Sequence, residues 1–115
     1  VLQVGEATDI YISNKGADIL LSDMCYIYLD KKNFRKAIQE AKRVARIGVI
    51  FCEFNSTNWF KRMGVKFLTG YNAYDYQKEL DRVGFHDIEI QKLTTTEWPG
   101  TEREKGLRAV ITAKT

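Results

Sequence analysis

Histidine and proline occur once each in this sequence and cysteine only twice, and each scarcity excludes a kind of site. The single histidine, His86, begins a predicted strand, so no histidine metal cluster and no Ser-His or Cys-His nucleophilic arrangement is expected. Cys25 and Cys52 lack the number and the close spacing of a disulfide framework or a zinc site. Reduced thiols in a cytoplasmic protein are the simplest interpretation, and no metal site is predicted.

Long apolar runs and blocks of like charge are also absent. No stretch reaches membrane-spanning length, and the opening residues lack the basic region of a signal peptide. The net charge is only +3, without a cluster of like charges, so neither a nucleic acid nor a membrane is indicated as a direct ligand. A hydrophobic content of 44% with 29% charged residues is typical of a folded soluble protein.

The central part of the chain reads as strand, helix, strand. The apolar run ADILLSDMCYIYL is followed by Asp30, a good helix N-cap, and by a helical apolar period over residues 31–46. A second apolar run, IGVIFCEF, comes next. Strands this apolar are expected to be buried on both faces in a parallel sheet, whose ligands bind at the carboxyl ends of the strands. Those ends are Asp23–Tyr28 and Glu53–Asn58.

Glycine and asparagine residues predict where turns lie and where the helices end. Asn14–Lys15–Gly16 is predicted to be a turn, and Gly48 to break the first helix. Residues 55–70 are predicted to form a short helix and a loop, because Gly64 interrupts their apolar period. A further helix is predicted to end with Gly84 in the C′ position.

The two ends of the sequence predict strands. Val1–Val4 is predicted to be a short strand. Near the other end, GFHDIEIQKL and GLRAVITAKT alternate with a period of two, which predicts an antiparallel hairpin joined by the connection Thr94 to Gly106. No repeat or linker composition occurs, so residues 1–115 are predicted to form one domain, whole or partial.

These elements, in this order, resemble the second half of a class I S-adenosylmethionine-dependent methyltransferase. The segment GEATDI resembles the acid-containing loop after the third strand of that family, and ADILLSDMCYIYL resembles its fourth strand and the following loop. The segment RVARIGVIFCEF resembles the end of the next helix, the turn and the fifth strand. The segments ELDRVGFHDIEIQKL and LRAVITAKT resemble its closing hairpin. The resemblance implies an α/β, Rossmann-like sheet that is mostly parallel and ends in an antiparallel hairpin.

The sequence departs from the family pattern at its beginning. It contains no G-x-G, and the first glycine-rich turn and the ribose-binding acid of the family are expected upstream of Val1. The sheet is therefore expected to be incomplete at its N-terminal side, with the strand Ile19–Ser22 as an uncovered edge. Either the chain is a fragment, or a partner chain completes the sheet, or the sheet is rearranged.

The resemblance also assigns candidate residues for the cofactor, S-adenosylmethionine. Glu6 matches the acid that accepts from the adenine amino group, and Ala7 presents its amide beside the ring. Asp23 and Met24 match the loop that follows the adenosine and the transferred methyl group. A solvated loop acid remains the alternative for Glu6, and ordinary packing the alternative for Met24.

The acceptor side is assigned in the same way. Asp23 and Tyr26 are the catalytic candidates. Asp23 could act as a base or hold an acceptor amine, and an acid at the end of a parallel strand is costly to bury unless it has a function or a partner. Tyr28, Glu53 and Trp59 are the substrate-binding candidates, while core or rim packing remains the alternative for the aromatic residues. The acceptor itself is not identified.

The resulting function is methyl transfer by direct displacement, in which the enzyme mainly orients two partners in line. One alternative is a non-catalytic, methyltransferase-like binding module or a subunit completed by a partner. Another is a response-regulator receiver domain with Asp23 as its acceptor. For that domain too few residues precede Asp23, a lysine is missing after the fifth strand, and the antiparallel ending fits poorly.

Overall fold

The structure is a computed structural model that describes residues 2–99 and 106–115. Val1 and part of the predicted connection Thr94 to Gly106 lie outside the described residues. The elements in chain order are β1 (Ala17–Asp23), a 3-10 turn (Tyr26–Tyr28), α1 (Lys31–Val44), β2 (Ala45–Phe54), α2 (Trp59–Thr69), α3 (Tyr76–Val83), β3 (His86–Lys92) and β4 (Arg108–Lys114).

The four strands form one mixed sheet in the order β1-β2-β4-β3. β1 and β2 run parallel, whereas β2 with β4 and β3 with β4 run antiparallel. The α/β fold class and the closing hairpin are therefore confirmed, although only one of the three described pairings is parallel. The antiparallel neighbour of β2 also argues against the receiver-domain alternative.

The helix α1 fixes β1 and β2 side by side. Asp30 caps it, since Oδ1 accepts from the Asn33 amide over 2.8 Å. Its apolar stripe is completely buried against the sheet, and the ring of Phe34 stacks on that of Tyr74 at 3.8 Å between centroids. The parallel pairing of β1 with β2, with Asp23 opposite Cys52, places the carboxyl ends of both strands at one edge of the sheet.

The two faces of the sheet differ. α1 and α3 contribute to one core cluster with Val49 and Phe51 of β2 and with alternate residues of β4. On the opposite face of β1, Ile19 is 46% and Leu21 66% exposed. The prediction of two buried faces was therefore wrong for β1, because the described helices pack on one side of it and β2 is its only described strand neighbour.

Two predictions based on glycine were wrong, and a third was confirmed. Helix α1 ends at Val44, before Gly48, which lies inside β2, where a Cβ atom would stand 2.4 Å from the carbonyl oxygen of Ala113. Gly64 lies within the continuous helix α2, because its side has open space and the caps at Asn58 and Gly70 hold both ends. The predicted turn at residues 14–16 is present, with the Gly16 amide donating to the Ser13 carbonyl over 3.0 Å, but Lys15 is the residue with a positive φ, 56°.

Of the remaining predictions, the end of α3 and the hairpin were confirmed, and the first strand was wrong. Gly84 ends α3 with a φ of 90°, as predicted, and β3 and β4 pair as the predicted hairpin. Leu2 to Val4 form no strand, and the side chains of Leu2 and Val4 are almost fully exposed. A strand needs a neighbour for its backbone groups, and no described strand lies beside these residues.

Candidate functional site

An open cleft of about 610 Å³ lies where β1 ends, between β1 and the segment that precedes it. We refer to it as the β1 cleft. It is lined by Gln3, Val4, Gly5, Glu6, Ala7, Ile10, Tyr11, Ile12, Leu20, Leu21, Ser22, Asp23, Cys25 and Tyr26. This is the carboxyl edge of the parallel pair, where the sequence predicted a ligand site.

The outer wall of the β1 cleft, residues 3–12, has little regular structure and is held by two side chains of α1. The Arg43 guanidinium donates to the carbonyl oxygens of Ile10 and Ile12, each over 2.8 Å. Glu40 accepts from the Ile10 amide over 2.9 Å and pairs with Arg43 at 2.7 Å. The Arg43 guanidinium lowers the pKa of Glu40 to about 2, so this carboxylate stays charged.

The floor of the β1 cleft rests on Glu53, whose side chain is fully buried at the end of β2. Its Oε1 accepts from the Ser22 hydroxyl at 2.9 Å, from the Cys25 amide at 3.0 Å and from the Tyr26 amide at 3.1 Å. One carboxylate oxygen therefore joins the end of β1, the end of β2 and the loop between β1 and α1.

The electrostatic state of Glu53 follows from its burial. Among the described residues its Oε2 is buried and has no hydrogen-bond partner. Loss of solvation raises the pKa of Glu53, while hydrogen bonds to the carboxylate, that of the Tyr26 amide foremost, oppose that rise. The group is thus easier to protonate than an exposed glutamate.

Tyr26 forms the inner wall of the β1 cleft and belongs to the core at the same time. Only 2% of the residue is exposed, and its ring lies 5.1 Å from that of Phe51. Burial raises the pKa of Tyr26 well above its ordinary range, so the phenol keeps its proton. Tyr26 can orient a ligand or donate a hydrogen bond, but it does not act as a phenolate base.

The structure brings four of the predicted site residues together. Glu6, Ala7, Asp23 and Tyr26 all line the β1 cleft. Asp23, at the end of β1, is exposed, so its carboxylate is not desolvated as expected. The acid that is buried is Glu53, at the end of β2.

The other predicted site residues lie apart from the lining of the β1 cleft. Met24, with a φ of 50°, packs toward a second apolar cluster that contains Phe54. Tyr28 is 68% exposed and meets Tyr71 edge-on at 5.7 Å, and Trp59 is 56% exposed at the start of α2. Glu53 lies beneath the loop that forms the floor.

Sequence reasoning missed three residues that shape the β1 cleft: Ser22, Glu40 and Arg43. Glu40 and Arg43 stand three apart on α1, which is a sequence signal for a helical ion pair. Their contact with residues 10–12 spans about thirty positions, and no local pattern indicates it.

Two further kinds of site were sought in residues 2–99 and 106–115. Within these ranges no three acidic, histidine or cysteine side chains are grouped as a metal site would require. No helix there has the length and apolar character needed to cross a membrane.

Solved structures share this arrangement of helices and strands. An S-adenosylmethionine-dependent methyltransferase from Thermotoga maritima superposes with a TM-score of 0.67 over 96% of this chain and 61% of its own, at 17% identity. One from Methanosarcina mazei gives 0.65 over 98% and 66%, also at 17% identity. Geranyl diphosphate C-methyltransferase from Streptomyces coelicolor, in complex with S-adenosyl-L-homocysteine, gives 0.63 over 97% and 52%, at 14% identity.

These comparisons establish the fold, which is that of the class I S-adenosylmethionine-dependent methyltransferases. The chain spans about six tenths of the length of the Thermotoga maritima enzyme. No protein-family model and no curated protein matches the sequence.

Proposed function

We propose that this chain forms the adenine side and the acceptor side of an S-adenosylmethionine-dependent methyltransferase. The observation that carries the proposal is the β1 cleft, which combines the acid of Glu6 with the acid of Asp23 at the carboxyl edge of a parallel strand pair. The shared fold supports methyl transfer as the reaction class. The acceptor stays undefined.

The residues of the β1 cleft fit an adenosyl group. Glu6 offers a carboxylate acceptor to an amino group, and its position is fixed by a turn in which the Asp9 amide donates to the Glu6 carbonyl over 3.0 Å. The side chains of Ala7, Ile10 and Leu20 in the lining offer apolar surface to a flat ring. When bound, S-adenosylmethionine supplies a methyl group on a positively charged sulfur.

Asp23 and Tyr26 would act on the acceptor. The exposed Asp23 carboxylate can hold an acceptor amine or take its proton, since it stands at the end of β1 where the chain turns. The protonated phenol of Tyr26 limits the depth of the β1 cleft and orients what enters it. Glu53 keeps both in place through the Ser22 hydroxyl and the Cys25 and Tyr26 amides.

Met24, Tyr28 and Trp59 complete the proposal as a second, outer region. Met24 is assigned to the cofactor, and Tyr28 and Trp59 to the acceptor, with Tyr71 in edge-on contact with Tyr28. Tyr28 and Trp59 would meet the part of the acceptor that does not react.

Calorimetric titration with S-adenosyl-L-homocysteine tests the proposal, using the full natural polypeptide that contains these residues. Glu6→Gln replaces a charged acceptor with a neutral one and is expected to weaken binding by about 5- to 30-fold, because a hydrogen bond to a charged group exceeds one to a neutral group by about 1–2 kcal/mol. Asp23→Asn is expected to weaken it less and to slow methyl transfer once an acceptor is known.

Glu89→Gln serves as the matched control, because Glu89 is an exposed acid on β3, away from the β1 cleft. It should leave the affinity unchanged. Undetectable binding by the natural polypeptide, or equal losses for Glu6→Gln and Glu89→Gln, would overturn the proposal.

The second candidate is a non-catalytic subunit that a partner chain completes. The observation that favours it is the free side of β1, which pairs only with β2 among the described strands and exposes Ile19 and Leu21. Native mass spectrometry distinguishes the two candidates: a stable complex without affinity for S-adenosyl-L-homocysteine supports the subunit, and binding by a single chain supports the enzyme.

A further inference from the structure

The helix α2 turns its large apolar side chains to solvent. Phe60 is 78% and Phe67 89% exposed, and both are aromatic residues that folded proteins usually bury. More than half of each neighbouring apolar side chain is exposed as well; these are Trp59, Met63 and Leu68. We refer to these five residues as the α2 patch.

The α2 patch occupies one side of a helix whose opposite side faces the protein. Successive residues turn by about 100° in an α-helix, so Trp59, Met63 and Phe67 lie along one stripe. Val65, on the other side, is only 3% exposed and packs into the second apolar cluster. The α2 patch is therefore separate from the surface that attaches α2 to the fold.

Lysine residues border the α2 patch on both sides. Lys61 and Lys66 are exposed and stand at the two edges of the apolar stripe, by the same helical geometry. Residues 55–74 contain three cationic side chains, the third being Arg62, and no aspartate or glutamate. This segment thus carries a charge of +3, equal to the net charge of the whole sequence.

The helix is already formed without a partner. The Asn58 side chain accepts from the Lys61 amide over 3.2 Å, and Gly70 ends the helix with a φ of 77°. Arg62 donates to the Ser56 carbonyl over 2.7 Å and ties the first turn to the end of β2. A partner would therefore not have to order α2 in order to bind it.

We propose that the α2 patch binds an anionic lipid surface, with the helix lying in the plane of the headgroups. Aromatic and aliphatic side chains on one side, lysines at the borders and the absence of acids are the features of helices that bind at such an interface. A second copy of the chain fits less well, because two facing patches would bring their lysines together. Apart from Trp59, which the proposed function also assigns to the acceptor, the α2 patch shares no residue with the proposed methyl-transfer site.

Co-sedimentation with vesicles tests the inference on the natural polypeptide. Vesicles of phosphatidylcholine with 30% phosphatidylglycerol, about the acidic content that gives a strong surface potential, are compared with phosphatidylcholine alone. Binding is expected to the anionic vesicles, to fall as salt is added, and to shift the Trp59 emission to shorter wavelength, a shift that Trp59→Phe removes.

Paired variants separate the apolar and the charged contributions. Phe60→Ser with Phe67→Ser is expected to weaken vesicle binding at least tenfold, as is Lys61→Gln with Lys66→Gln. Lys32→Gln with Lys36→Gln removes the same charge from exposed positions of α1 and should change the affinity less than twofold. Ile47→Ser is the apolar control, since Ile47 is 49% exposed on β2. Circular dichroism checks that each variant is folded.

Three outcomes would overturn the inference. One is no binding to the anionic vesicles at low salt, and another is equal binding to both kinds of vesicle. The third is self-association, measured by light scattering, that Phe60→Ser with Phe67→Ser abolishes, because the α2 patch would then be an interface between copies.

Discussion

The hydroxyl of Ser22 donates a 2.9 Å hydrogen bond to Oε1 of Glu53, and both residues are buried. The bond crosses from the end of β1 to the end of β2, in a register that pairs Asp23 with Cys52. Because the amides of Cys25 and Tyr26 share the same oxygen, the position of the cleft floor depends on one side chain. The stability of the protein should therefore respond to the protonation of Glu53.

We expect the free energy of unfolding to fall as pH rises through the pKa of Glu53. Burial raises that pKa above its ordinary value of 4.5, so the folded state binds the proton more tightly than the unfolded chain does. The stabilisation is complete below pH 4.5 and is lost as pH rises through the folded pKa. Glu53→Gln keeps an acceptor and carries no titrating group, so urea unfolding of this variant should lack that pH dependence.

Glu89→Gln is the control for this pH series, since Glu89 is exposed on β3. It should keep the slope of the parent protein. A Glu53→Gln variant with an unchanged slope would show that another group is responsible.

Arg43 is expected to control the outer wall of the β1 cleft. Arg43→Met removes the donors to the Ile10 and Ile12 carbonyls and leaves Glu40 without its cation, so it should lower the free energy of unfolding by more than the loss of an exposed ion pair does. Hydrogen exchange at the Ile10 amide should become faster. Arg46→Met is the matched control, because its pair with Asp18 is exposed and is worth about 0–1 kcal/mol.

The rate of hydrogen exchange at the Ile10 amide measures how firmly the outer wall of the β1 cleft is held. Equal rates in the parent protein and in Arg43→Met would mean that other contacts hold residues 10–12. An equal loss of stability in Arg46→Met would mean that the loss of a positive charge, and not the hydrogen bonds of Arg43 to residues 10–12, causes the effect.

Two glycine substitutions should act in opposite directions. Gly48→Ala places a Cβ atom 2.4 Å from the Ala113 carbonyl oxygen and forces β2 and β4 apart, which should cost about 1–3 kcal/mol. Gly64→Ala meets no atom within 4 Å and lies inside α2, so it should stabilise the protein by about 0.5–1 kcal/mol. Thermal unfolding measures both, and a change of the same sign in the two variants would refute the structural distinction.

The sequence predicted the strand–helix–strand core because its signals are local. The cap at Asp30 and the apolar period of α1 act within a few residues, and the structure has both. Gly48 and Gly64 misled the prediction because a glycine can serve a close backbone approach or simply occupy a helix with room to spare. The exposure of a side chain depends on which elements pack against it in the folded structure. The hydrophobic pattern of the sequence therefore did not predict the exposed faces of β1 and α2.

The β1 cleft lies at the edge of the sheet where the sequence predicted a site, but the different burial of its two strand-end acids was not predicted. Both Asp23 and Glu53 end apolar strands and look alike in sequence, yet one is exposed and the other fully buried. The contacts of Arg43 with residues 10–12 depend on tertiary structure alone. Whether the cleft residues bind S-adenosylmethionine stays a prediction.

Because Glu53 binds backbone amides, the position of the loop between β1 and α1 does not depend on the side chain at residue 25. Glu53 contacts the backbone amides at positions 25 and 26, which every amino acid except proline provides. The exposed side chain at Cys25 is thus free to vary while the loop keeps its place. We expect a saturation library at position 25 to give proline as the one strongly destabilised member, with the fold kept at every other substitution, as thermal unfolding of the variants measures.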